Sequence, residues 1–161
     1  KDSYPGAVSN NNIAVAYHNA GQYDKAADFL EKAYQEEPDD PYVCFNYART
    51  FEDTDPERYF QLLKKSYELD KNNPVHVFLY GHTLYQRGRR DEGMSLINKS
   101  VDLWTVRLNN GTLRSWDYGW FRDAARFLHR DDLVRRINDA EKMDDAPYDE
   151  NNLLKTNSTR R

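Results

Sequence analysis

The heptapeptide Gly-Gln-Tyr-Asp-Lys-Ala-Ala at residues 21–27 decides the fold, because a related segment, Gly-Arg-Arg-Asp-Glu-Gly, recurs at residues 88–93. Both segments lead into a run of apolar residues with helical spacing. A looser copy spans residues 42–70, with Thr-Asp-Pro-Glu at 54–57 in place of the glycine-centred turn. Self-similarity at a period of about 20 to 50 residues indicates an array of similar units.

Small and large residues repeat at the same interval in the three copies. The small ones are Ala14, Ala48 and Gly81, separated by 34 and 33 positions. The large ones are Leu30, Leu63 and Ile97, separated by 33 and 34 positions. Alternating small and large residues allow neighbouring helices to approach closely and to fill the space between them. The spacings therefore predict stacked helices, with a one-residue deletion in the turn of the middle copy.

Each copy is predicted to form two helices. In the first copy, one helical face carries Ile13, Ala16, Tyr17 and Ala20, and Gly21 stops the helix. A second helix is predicted to open at Asp24, with a buried stripe of Ala26, Ala27, Leu30, Ala33 and Tyr34. In the middle copy, Thr54 followed by Glu57 predicts a capping box.

The period, the order of small and large residues and the glycine-centred turn resemble the tetratricopeptide repeat, a helix-turn-helix unit of about 34 residues. The resemblance implies an all-α fold, a right-handed α-α superhelix or solenoid. Residues 1–107 would hold three repeats at 7–40, 41–73 and 74–107. A degenerate fourth helix pair or cap is expected at 108–144, and a polar tail at 145–161.

The predicted fourth pair carries many aromatic rings. Its helices are expected at residues 113–129 and 131–143, and the first contains Trp116, Trp120 and Phe121. In one interpretation these rings seal the open end of the core, since the end of an array must cover an apolar face. In the other they form a secondary interface, either with a partner or with a second copy of the chain.

Composition excludes several classes of function. The 161 residues carry a net charge of −4, which disfavours nucleic acid as a partner. A mean hydropathy of −1.00 and the lack of a long apolar run exclude a transmembrane segment. The single cysteine, Cys44, allows no internal disulfide and is compatible with any compartment. Localisation stays open, with the cytoplasm favoured, and the initial Lys1 leaves open whether residues precede it.

No catalytic set is recognisable in the sequence. Cys44 lies in no nucleophile motif, and the four histidines lack the spacing of a helical zinc site. The seven glycines form no phosphate-binding loop. We therefore expect no catalytic residues, no metal site and no cofactor, and an enzyme acting alone ranks last among the hypotheses.

The resemblance also implies a binding site, because the first helices of such repeats line a concave groove. The groove residues carried over are Tyr42, Phe45, Asn46, Arg49, Phe78, Leu79 and His82. Members of the family that bind chaperone C-terminal tails hold the carboxylate with Lys, Asn and Arg side chains. Only Asn46 matches that set, and its other places hold Asn11, Val15, Val75 and Leu79, so a chaperone tail is disfavoured.

The sequence thus predicts a non-catalytic scaffold or adaptor that binds a peptide or helix of a partner protein through apolar anchors in the groove. An alternative is a structural or assembly subunit, or helical accessory domain, of a larger complex or enzyme that contacts its neighbours through the outer face. A further alternative is that the fourth helix pair or the tail of the protein fills the groove.

Overall fold

The computed structural model describes residues 5–145, with side chains from Asn10 onward, and within that range it contains eight α-helices and no strand. The chain divides into two compact units, Lys1–Lys71 and Asn72–Arg161. Helices of the first unit are α1 (Pro5–Asn19), α2 (Tyr23–Glu36), α3 (Pro41–Arg49) and α4 (Pro56–Leu69). Those of the second are α5 (Pro74–Gln86), α6 (Arg90–Asn109), α7 (Asp117–Phe127) and α8 (Asp131–Asp144). The predicted all-α fold is confirmed.

Helix ends in the first unit follow local signals in the sequence. Gly21 lies in the turn that follows α1 and has a φ of +74°, a conformation that glycine adopts readily. The Asp40 carboxylate caps α3 by accepting the backbone N–H groups of Tyr42 and Val43, each at 2.9 Å. The predicted capping box at Thr54 is wrong, because the Asp55 side chain caps α4 instead. Pro56 occupies the first helical position, as a fixed φ favours.

The core of the first unit contains the predicted small residues. Ala14, Ala33 and Ala48 are fully buried, as is Ser66 in the corresponding place on α4. The large residues that fill the spaces between helices include the buried Leu30 and Leu63. Two members of the predicted buried stripe on α2, Ala27 and Tyr34, are only half-buried, as is Tyr17 on α1.

In the second unit, α5 and α6 cross at two glycines. A Cβ atom built on Gly81 would lie 2.7 Å from Cβ of Leu96, and one built on Gly93 would lie 2.6 Å from the carbonyl oxygen of Gly81. Neither distance is compatible with a side chain. The predicted small residue at position 81 is thus required by the helix crossing, and the large residues Leu84 and Ile97 are fully buried beside it.

The fourth helix pair differs from the prediction mainly in its first helix, which is shorter. Its first helix begins at Asp117 rather than Leu113, because α6 runs on to Asn109 and a connection follows. The Arg122 guanidinium joins α7 to α8 by donating to Oδ1 of Asn138 at 2.8 Å and by pairing with Glu141. The predicted tail lies outside the described residues apart from Asp145. No described helix is both long and apolar enough to cross a membrane.

Candidate functional site

In the first unit, three predicted groove residues share one face of α3. Tyr42, Asn46 and Arg49 follow each other at intervals of four and three residues, which places them on one side of a helix. Tyr42 is 44% exposed, and the other two are half-buried. An exposed aromatic side chain therefore lies on the same helical face as an amide and a guanidinium group.

Helix α1 extends this face. Nδ2 of Asn46 donates a hydrogen bond to Oδ1 of Asn11 at 3.0 Å, which joins the two helices. Val15 follows Asn11 by one helical turn and is 38% exposed. We call the set Asn11, Val15, Tyr42, Asn46 and Arg49 the α1–α3 surface.

The apolar floor that the sequence predicts from Phe45, Phe78 and Leu79 is buried. These side chains are 7%, 6% and 8% exposed, respectively. In the second unit, the ring of Phe78 lies edge-on to that of Trp104, with 6.0 Å between the centroids. The three residues thus contribute to the core, and little of their surface is offered to a partner.

Helix α7 covers the predicted groove residue His82 of the second unit. The centroid of the Phe127 ring lies 5.3 Å from that of the His82 ring in an edge-on arrangement, and Phe127 also contacts Tyr85. Burial lowers the pKa of His82, because the charged imidazolium loses its hydration there. The fourth helix pair thus occupies part of the α5 surface that the sequence assigns to a partner.

The aromatic residues predicted as a secondary interface lie in different environments. Phe121 is fully buried and stacks on Trp104, with centroids 5.5 Å apart. Trp120 is half-buried, whereas Trp116 is 56% exposed just before α7 begins. The Arg114 guanidinium lies over the Trp116 ring, 5.2 Å from its centroid. Trp116 therefore offers most of the exposed aromatic surface of this set.

The positions that the resemblance assigns to a carboxylate-binding clamp carry no cation here. The side chain of Asn46 is hydrogen-bonded to that of Asn11, and Val15 is an aliphatic residue on the same surface. Val75 and Leu79 are buried in the second unit. The sequence predicts Asn46 as a groove residue but does not predict its pairing with Asn11. The separation of 35 residues, one repeat plus one position, is the signal that could have revealed it.

Cys44 lies in a structural environment. Its side chain is fully buried, and Sγ donates to the carbonyl oxygen of Pro38 at 3.1 Å. Burial raises the pKa of the thiol to about 11, which keeps it protonated at neutral pH. Within the described part of the chain, no group of three or more His, Cys, Asp or Glu side chains is arranged to hold a metal ion.

Comparison with known proteins agrees with this architecture. The family model of the tetratricopeptide repeat matches residues 17–55. Among solved structures, the fold is similar to the second TPR of Spaghetti (RPAP3) bound to HSP90 peptide SRMEEVD, with a TM-score of 0.54 and 14% identity over 62% of this chain and 93% of that one.

Two structures of MamA are similar as well. One has a TM-score of 0.54 at 12% identity, covering 85% of this chain and 79% of its own. The other, MamA AMB-1, has a TM-score of 0.51 at 21% identity, covering 92% and 78%. No curated protein matches the chain in sequence. Residues 17–55 therefore match the tetratricopeptide repeat, and the fold of paired helices is similar to that of solved tetratricopeptide-repeat structures.

Proposed function

We propose that this chain is a non-catalytic protein-interaction module that binds a peptide or short helix of a partner protein on the α1–α3 surface. The tetratricopeptide fold supports a protein-binding role in general. The observation that carries the finer proposal is the exposed ring of Tyr42, one helical turn from the Asn46–Asn11 hydrogen bond. This combination provides an apolar anchor beside polar groups that can orient a bound chain.

The chemistry of the surface favours a peptide main chain as the ligand. The bond between Asn46 and Asn11 uses one donor proton of the first amide and one acceptor of the second. The carbonyl of Asn46 and the amide protons of Asn11 are then suited to accept from and donate to a peptide bond. Tyr42 provides the apolar contact, and Arg49 favours an acidic or polar residue of the ligand.

The partner is proposed to be an internal segment with apolar anchors rather than a C-terminal tail. The second TPR of RPAP3 is bound to an HSP90 peptide. In this chain, the positions that hold a terminal carboxylate in chaperone-binding relatives include Val15, Val75 and Leu79. Aliphatic side chains cannot compensate the charge of a carboxylate.

A second candidate is a subunit that contacts its neighbours through the loop before α7. The exposure of Trp116 beneath the Arg114 guanidinium favours it, because tryptophan and arginine are enriched at the centres of interfaces. This contact would use the second unit alone and would not need the α1–α3 surface.

Affinity capture with four forms of the full chain distinguishes the two functions. The forms are the wild type, Tyr42→Ala, Trp116→Ala and the control Tyr23→Ala, which removes another exposed ring, from α2. We expect Tyr42→Ala to weaken binding of the captured partner at least tenfold while Tyr23→Ala retains it, each with unchanged helicity. Loss with Trp116→Ala alone would favour the subunit function, and equal capture by all forms would overturn both.

A further inference from the structure

Helix α1 exposes a side that is covered in its counterpart α3. Ile13 and Tyr47 occupy the same position of successive repeats, 34 residues apart, and Tyr80 follows 33 residues later. Tyr47 and Tyr80 are 4% and 5% exposed, whereas Ile13 is 37% exposed. Ala16 on α1 and Ala20, which directly follows the last residue of α1, are exposed on the same side. Among the described residues, none covers the face that the sequence predicts as apolar, and we call Ile13, Ala16 and Ala20 the open face.

The first unit contains the contact that covers the equivalent side of α3. The ring of Tyr34 on α2 stacks on that of Tyr47, with centroids 4.9 Å apart. The Arg58 guanidinium donates to the Tyr47 hydroxyl at 2.9 Å and completes the cover. An amphipathic helix with an aromatic ring near its C-terminal end is thus the element that packs on this side of a first helix.

The last described helix, α8, differs from α1 in the character of its exposed side. Its buried residues Leu133 and Ile137 point to one side. Its exposed positions carry charges at Arg135, Arg136, Asp139 and Lys142, and the apolar Met143 is exposed at its C-terminal end. A polar outer surface is what the end of a repeat array requires for solubility. The open face, by contrast, consists of one isoleucine and two alanines, and the exposed Asn12 and Asn19 lie about one turn to either side of Ala16.

We propose that the open face binds an amphipathic helix of a partner protein, which packs on α1 as α2 packs on α3 and places an aromatic ring over Ile13. The proposed contact continues the α2–α3 interface by one repeat. Ala16 and Ala20 permit close approach of the incoming helix, because their side chains are short. A second copy of this chain fits less well, since α8 presents charges and the Tyr17 ring of a second α1 is half-buried and stacked on Phe29 of its own α2.

The test uses the peptide of residues 21–40, which contains α2, as the probe. The peptide is joined to Lys1 of the full chain through a flexible linker, so that binding becomes intramolecular. We expect the midpoint of thermal unfolding to rise by about 3 °C or more, and amides of α1 to gain protection from hydrogen exchange. A probe carrying Tyr34→Ala should produce a smaller rise.

The control is the same fusion in a chain carrying Ile13→Glu, with each fusion compared to its own unfused parent. The rise should disappear, because a carboxylate would be buried beneath the incoming ring. An equal rise in both chains, or no rise in either, would overturn the proposal. Sedimentation of the unfused chain should show a monomer. A dimer that Ile13→Glu dissociates would overturn the proposal, because a second copy of the chain would then occupy the open face.

Discussion

The indole nitrogen of Trp104 donates a hydrogen bond to Oδ1 of Asp117 over 2.9 Å, and both side chains are fully buried. The same carboxylate accepts the backbone N–H of Arg114 at 2.9 Å and pairs with the Arg107 guanidinium at 3.2 Å. This network joins α6 to the first residue of α7. It also aligns the two helices so that Phe121 stacks on Trp104.

Replacement of Asp117 by alanine should destabilise the second unit strongly. The change leaves a buried indole N–H and the facing guanidinium without their acceptor, a loss of about 3 kcal/mol or more in the free energy of unfolding. Urea denaturation followed by circular dichroism measures it. Asp123→Ala is the matched control, because that exposed carboxylate pairs with the exposed Arg126. Its cost should stay below about 1 kcal/mol, and equal costs would contradict the role of the network.

The crossing of α5 and α6 predicts that alanine is destabilising at Gly93, in contrast to Gly119 on α7. Gly93→Ala should lower the free energy of unfolding by about 2 kcal/mol, because the new Cβ would lie 2.6 Å from the backbone of Gly81 and of Tyr85. Gly119→Ala places its Cβ in open space on α7 and should be neutral or stabilising by about 0.5 kcal/mol. Chemical denaturation of both variants provides the comparison, and a neutral Gly93→Ala would exclude so close a crossing.

The sequence predicts the repeated helix pairs well because their signals are local. Glycine, proline and small residues at a fixed interval determine where helices end and how closely they pack, as Gly21, Pro56 and Gly81 illustrate. Exposure depends on what covers a helix, and the sequence of that helix does not encode it. For this reason Phe45 is buried where a binding surface is expected, and Ile13 is exposed where an apolar face suggests burial.

Truncation of the buried rings that the sequence assigns to the groove should lower the stability of the fold, and any loss of binding should follow from that. Phe45→Ala and Phe78→Ala remove side chains that are 7% and 6% exposed, and each should cost about 3 kcal/mol of stability through the cavity left behind. Tyr42→Ala, with its ring 44% exposed, should cost less than about 1 kcal/mol. Thermal unfolding of the three variants ranks their losses of stability. A Phe45→Ala variant as stable as the wild type would indicate that Phe45 belongs to the binding surface and not to the core.

Cys44 should be unreactive in the folded protein. Its buried thiol has a pKa raised to about 11, so the reactive thiolate is scarce at pH 8 and is shielded from reagents. We expect slow modification by a disulfide reagent in buffer and rapid modification in urea, followed by absorbance. Rapid reaction in buffer would contradict the burial of this residue and would reopen a chemical role for it.

Acidification should destabilise the contact between α5 and α7 through His82. Its pKa in the folded protein is lowered by burial against Phe127, whereas the unfolded chain has an ordinary imidazole pKa of about 6.5. As the pH falls below that value, the unfolded state takes up a proton before the folded state does, so the free energy of unfolding decreases. Above it, both states are neutral and the contribution of His82 does not change with pH.

This prediction is tested by measuring the urea midpoints of the wild type and of His82→Gln between pH 7.5 and pH 5. The quantity compared is how steeply each midpoint falls with pH. The wild type should lose more stability on acidification than His82→Gln does, because glutamine cannot take up a proton. His129→Asn is the control for removing an exposed imidazole, and asparagine tolerates the positive φ of 55° at that position. If the midpoints of the wild type and of His82→Gln fall in parallel with pH, burial against Phe127 does not oppose the protonation of His82. The packing of α7 on α5 would then be looser than the ring contact indicates.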